Sequence, residues 1–255
     1  MTNAAAYAEL TSRLKRTHTL GTIGSLLGWD EQVNLPPGAA DLRAEQSAVL
    51  AELAHATAAD PRIGDLLRVL EKPDGGPTPD QRVVVREARK DYDRVTKLPP
   101  EFVREKALHA SQAYHAWADA KARSDFSSYV PVLEKHLDLA KREAAYLGHA
   151  DAPYEYMIDL HDPGMTAAVI ARLFAELKAE LVPLGREILA SPVKPRTGIF
   201  RGFPVDKQRE FLRQVTERLG FNYRRGRIDV SLHPFCSGSG SDIRMTTRFD
   251  ADNPL

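Results

Sequence analysis

The chain has 255 residues, with 35 basic side chains balanced by 35 acidic ones. That balance argues against a nucleic-acid partner, which demands a clustered excess of Lys and Arg to neutralise phosphates. An apolar content of 43% suffices for a buried core, as one large domain or two small ones.

Most of the chain reads as amphipathic helix. Residues 4–28 place Tyr7, Leu10, Leu14 and Leu27 near helical spacing, up to a breaker at Pro36-Pro37-Gly38. A second helix carries Leu42, Val49, Leu50 and Leu53 before Asp60-Pro61, and a short third one carries Ile63, Leu66, Leu67 and Leu70. Lys72 to Pro79 is a Pro- and Gly-rich loop that closes on a helix start: Thr78 caps, Pro79 fits the first turn and Gln81 completes a capping box. That helix runs to about Lys97. After Leu98-Pro99-Pro100, a long helix aligns Phe102, Lys106, Ala110, Ala113, Tyr114 and Trp117.

The next helix, Tyr129 to Leu147, ends on Gly148 as a left-handed cap. Thr166 caps a helix with the stripe Ile170, Leu173, Phe174, Leu177 and Leu181. Ser191 to Pro204 is an irregular connection. The helix beyond it aligns Phe211, Leu212, Val215 and Leu219, and Gly220 closes it. Only then does the period change to two, over Ile228–Leu232 and Ile243–Thr246, which predicts two short strands joined antiparallel by the Cys236–Ser241 loop. The expected fold is mainly α, an elongated multi-helix body with a small β-hairpin or sheet near the C-terminus. Its segments are 1–71, N-terminal helices; 78–190, long helices; and 205–255, a helix plus two strands. All are expected to belong to one domain.

Other chemistry is sparse. The single cysteine, Cys236, forbids an intrachain disulfide and fits a reducing compartment. No apolar run approaches the roughly 18 residues that span a bilayer. Met1 to Leu14 has no basic-then-apolar leader, so a cytoplasmic protein with no membrane partner is expected.

None of the eight histidines is followed by Glu, and His109 and His115 lie on different faces of one helix, so no metal ligands are assigned in this chain. His18, His55, His136 and His149 read as structural. His161-Asp162-Pro163-Gly164 reads as a turn before a helix. Cys236, three residues after His233, permits a Cys-His hydrolase reading that nothing else supports. Ser237-Gly238-Ser239-Gly240-Ser241 reads as a hairpin loop ahead of an anion nest.

Two motifs remain: His233-Pro234-Phe235, and Asp242-x-Arg244-x-Thr246. In this order and spacing they resemble the thermostable metallocarboxypeptidase family founded on carboxypeptidase Taq. Trp29-Asp30, Leu35-Pro36-Pro37-Gly38 and Arg43-Ala44-Glu45-Gln46 are similar to its N-terminal segment. Tyr154 to Thr166 resembles its middle, and Phe203 to Phe221 its helix before the active-site strands. The resemblance implies a helical fold with a deep groove, peptide C-termini as substrates, and a divalent metal, zinc first, that activates water. It also implies a homodimer.

The family's H-E-x-x-H helix follows the second motif, and the chain ends at Leu255 before one. The resemblance is thus to the front half of the enzyme, inactive alone, with the C-terminal half a separate partner polypeptide. By the same resemblance His233 faces the substrate or metal-bound water, and Pro234 and Phe235 wall the groove. Asp242, Arg244 and Thr246 share a strand face. Asp242 and Arg244 either pair to position the metal helix, or Arg244 faces the peptide. A satisfied buried network with no catalytic part is an equal reading of His233, Asp242, Arg244 and Thr246. The rival from another class is a non-catalytic helical scaffold with 101–126 as its interaction surface.

Overall fold

A computed structural model describes residues 1–72, 77–196, 198 and 201–253. The interiors of the two Pro- and Gly-rich connections expected around Lys72–Pro79 and Ser191–Pro204 lie partly outside the described residues. The helices are α1 (Asn3–Val33), α2 (Ala40–Ala58, after a 3-10 turn at Pro37–Ala39), α3 (Pro61–Leu70), α4 (Pro79–Val95), α5 (Pro100–Ala122), α6 (Phe126–Tyr146), α7 (Pro153–His161), α8 (Ala167–Ala190) and α9 (Val205–Arg218). The strands are β1 (Gly226–Val230), β2 (Cys236–Ser239) and β3 (Asp242–Thr247). The fold is mainly helical with a small sheet near the C-terminus, as the periodicity predicts.

The capping box forms as read: Thr78 Oγ1 accepts from the Gln81 N–H at 3.4 Å and Gln81 Oε1 accepts from the Thr78 N–H at 3.0 Å. Gly148 takes φ +92° and Gly220 φ +88°, the left-handed conformation that ends a helix without a Cβ clash.

The chain divides into two compact units. The first comprises Met1–Leu139 and Tyr223–Thr247. Its core joins Ala6 and Leu10 of α1, Ile63, Leu66, Leu67 and Leu70 of α3, and Val85 and Ala88 of α4. The approach is close enough that Gly64 leaves no room for a β-carbon beside the Tyr92 ring. A second contact in this unit packs α2 along α5, and α1 also reaches β2.

The other unit comprises Ala140–Asn222 and the residues from Arg248 on. Its buried residues include Ala144, Leu147 and Tyr156, with the Tyr156 hydroxyl 3.3 Å from Glu143 Oε1. Helix α7 within it is unforeseen, because nine residues are shorter than the window over which a helical period shows. The His161–Gly164 stretch is a turn: Asp159 Oδ1 accepts from the Gly164 N–H at 3.0 Å, and Thr166 Oγ1 caps α8 by accepting from the Val169 N–H at 3.2 Å.

The sheet departs from the expected two-stranded hairpin. Its order is β1-β3-β2; β1 pairs with β3 in parallel, and the antiparallel partner of β3 is β2. The Gly/Ser segment read as a loop is therefore a strand. Glycine and serine carry no strand signal, yet an antiparallel neighbour two residues away supplies the ladder bonds whatever the side chains.

Candidate functional site

With β3 in the middle, the chain leaving β1 must cross over the end of β3 to reach β2. Two strand spacings of about 4.8 Å separate them. Residues 231–235 make that crossing, so His233-Pro234-Phe235 forms an arch over the C-terminal end of β3. Thr246 pins it from below. Its hydroxyl accepts from the Phe235 N–H at 2.8 Å and lies 2.7 Å from Ser231 Oγ, while its own N–H donates to the Phe235 carbonyl at 2.8 Å. Ser231 Oγ in turn donates to the His233 carbonyl at 2.9 Å. Both hydroxyls are buried. Buried polar atoms hold structure only when satisfied, and here the two hydroxyls meet each other and the arch backbone. The arch presents His233 to solvent, with Pro234 exposed beside it and Phe235 half-buried.

The register sets Arg227 opposite Arg244 and Asp229 opposite Thr246. Asp242, Arg244 and Thr246 thus share a face with Arg227 and Asp229, as period two requires. On that face Asp242 and Arg244 form the bidentate pair, Nε to Oδ1 at 2.5 Å and Nη2 to Oδ2 at 3.0 Å. The guanidinium holds the Asp242 carboxyl below its ordinary range. Arg227 and Asp229 form a second fork, at 2.7 and 2.6 Å.

Two guanidiniums side by side would repel. Each is neutralised by its own carboxylate, and both rest on one indole. The Trp29 ring centroid is 4.2 Å from Arg244 Cζ and 4.9 Å from Arg227 Cζ. Trp29 is buried at the end of α1. The turn of α1 that carries it is fixed from α2: Arg43 donates to the Leu27 carbonyl at 2.8 Å and to Asp30 Oδ2 at 2.7 Å. Arg43 also keeps the Asp30 carboxyl below its usual range. Further along α1, His18 Nε2 lies 3.1 Å from Ser239 Oγ of β2. The indole Nε1 of Trp29 and the hydroxyl of Ser237, which is paired with Arg244, are both buried without a hydrogen-bond partner among the described residues.

All six site residues read from the sequence thus sit on one arch and one strand, with Thr246 a support and Asp242 and Arg244 paired. The sequence reading missed the plate beneath them, Trp29, and the neighbour Arg227; both are set by long-range packing. It also missed Glu31. That side chain, only 9% exposed, accepts from Ser111 and lies 2.9 Å from His115 Nε2, both on α5. Burial, and secondarily the Glu31 charge, raises the Tyr114 hydroxyl above its ordinary range. Cys236 stands across from Met245, on the opposite face from Arg244, and is exposed.

Among the described residues no three His, Cys, Asp or Glu side chains converge as a metal cage. The donor set of a catalytic zinc, three protein ligands and an open position, is not met there.

The model of the family described as "Carboxypeptidase Taq (M32) metallopeptidase" matches residues 9–255. Thermostable carboxypeptidase 1 of Thermus thermophilus is 36% identical over 268 residues, covering 99% of this chain and 52% of that protein. The M32 carboxypeptidase structure from Deinococcus radiodurans R1 is 39% identical with a TM-score of 0.81, over 98% of this chain and 50% of its own. The structure titled BsuCP reaches a TM-score of 0.92 at 33% identity, again over 98% of this chain and 50% of its own. The chain spans about half the length of the relatives it matches. With the two motifs on one arch and strand and a family match over nearly its whole length, the chain belongs to the carboxypeptidase Taq (M32) metallopeptidase family.

Proposed function

We propose that this chain is the N-terminal half of a zinc-dependent carboxypeptidase that releases single residues from peptide C-termini, and that it forms the wall of the substrate groove. The carrying observation is the Thr246-pinned arch standing beside the Arg244–Asp242 fork on Trp29. Held this way, His233 faces the peptide from the crest of the arch, and Pro234 and Phe235 shape the groove beside it. Arg244 gives two donors to Asp242, and a guanidinium has five. The remaining ones serve a peptide carbonyl, with Trp29 and Asp242 fixing the plane from which they point.

The described residues do not fit the family's metal, so its ligands are assigned to the other half of the relatives' length. Bound there, the metal would supply activated water. The assembled enzyme is proposed to be a cytoplasmic homodimer; the lone cysteine fits the reducing compartment, and the homodimer rests on the family resemblance.

The test mixes residues 1–255 with the C-terminal half of the Thermus thermophilus relative and Zn2+, then follows release of the last residue of a blocked dipeptide. No release is expected from either half alone. Release is expected from the mixture, and Arg244→Ala should cut it by at least about tenfold, the scale of one lost charge-assisted contact. Release that ignores both His233→Ala and Arg244→Ala would remove the groove reading. Binding of the two halves without any hydrolysis would favour a non-catalytic scaffold.

A further inference from the structure

His109, which the sequence sets on a different helix face from His115, and His136, read there as structural, face each other across two helices. His109 on α5 and His136 on α6 have ring centroids 5.1 Å apart, with their planes inclined at 49°. His109 Nε2 is buried and has no hydrogen-bond partner among the described residues. In the Nδ1–H tautomer that buried nitrogen carries a lone pair, the usual state of a metal-ligating histidine. Burial, followed by the neighbouring His136 and Lys135, holds His109 below the ordinary histidine range.

We propose that His109 and His136 form a two-imidazole site for a late first-row divalent cation that clips α5 to α6. The separation suits it. A tetrahedral ion about 2.0–2.1 Å from each nitrogen places two imidazole centroids roughly 5 Å apart. Imidazole nitrogens select Zn2+, Ni2+ and Cu2+ over Mg2+ and Ca2+. With no third protein ligand among the described residues, water completes the shell. The site is independent of the carboxypeptidase reading and carries no hydrolysis.

Isothermal titration of residues 1–255 with Ni2+, and separately with Zn2+, in a non-coordinating buffer tests it. One equivalent is expected to bind, with Mg2+ giving no saturable heat. His136→Gln changes an exposed residue, so the variant folds, and it should weaken binding by at least about tenfold, as should His109→Gln. His161→Gln should leave binding unchanged. A saturating ion should raise the thermal midpoint of the parent chain and not that of His136→Gln. Titrations without a saturable site, or a site undiminished in His136→Gln, overturn the proposal.

Discussion

Thr246 shows how much one side chain can determine. A threonine hydroxyl has one hydrogen and two lone pairs. Its contacts with the Phe235 N–H and Ser231 use that capacity, and Ser231 passes the chain on to the His233 carbonyl. Thr246→Val keeps shape and strand propensity but strands the Phe235 N–H. A loss of about 1–3 kcal/mol in chemical denaturation is expected, with Thr246→Ser recovering most of it. Gly238 is the second such point. It has φ +106°, and a β-carbon there would run into the Asp242 carbonyl oxygen and sit 3.1 Å from Ile243 Cα. Because Asp242 orients Arg244, Gly238→Ala should lower the thermal midpoint and also disturb the fluorescence of Trp29, read in a Trp117→Phe background. The φ strain alone is of order 1–3 kcal/mol.

At the scale of elements, what was legible in the sequence was local. The Thr78–Gln81 box, the Gly148 and Gly220 caps and the helical stripes all come from residues within a turn or two of each other. The strand pairing was not legible: β1 and β3 pair in parallel across an intervening strand, and nothing in Ile228–Leu232 names its partner. The Asp-x-Arg-x-Thr face followed from period two alone. Its support, Trp29, lies more than two hundred residues away in sequence, so no spacing argument reaches it. For the same reason His136 looked solitary, because its neighbour sits on another helix.

Helix α8 shows a pattern that was legible but whose outcome was not. Phe174, Leu177, Leu181, Leu184 and Ile188 recur at alternating intervals of three and four, the seam of a packed helix pair. Yet α8 has no buried residue, and Phe174 is 64% exposed. A contiguous apolar seam in water is unstable to association. Residues 1–255 are therefore expected to bind a polarity-sensitive dye and to sediment as mixed oligomers. Leu177→Lys with Leu181→Lys should suppress both. Equal dye binding by that variant would place the sticky surface elsewhere.

At the scale of the molecule, the first unit depends on how α1 is anchored, since α1 carries Trp29 at one end and core residues at the other. Near its start the anchor is ionic. Arg62 of α3 grips Glu9 at 2.9 and 2.6 Å, and Arg13 joins Glu9 at 3.2 Å and Asp60 at 2.5 Å. The Arg62 hydrogen bonds, followed by those of Arg13, pull the Glu9 carboxyl from 4.5 down to about 2. Depression of a carboxyl means that the folded state releases its proton more readily than the unfolded chain does. The resulting stabilisation is complete above the unfolded value of 4.5 and drains away as the pH falls toward 2. Asp30 and Asp242, held low by Arg43 and Arg244, act in the same direction. Glu9→Gln isolates one of these contributions, because the other two are common to both proteins. In urea titrations the parent should be more stable than Glu9→Gln near neutrality, and the gap should close between pH 4.5 and 2. Because the pair is solvent-exposed, added salt should narrow the gap at neutral pH as well. A gap independent of both pH and salt would mean that Glu9 holds α1 to α3 by packing rather than by charge.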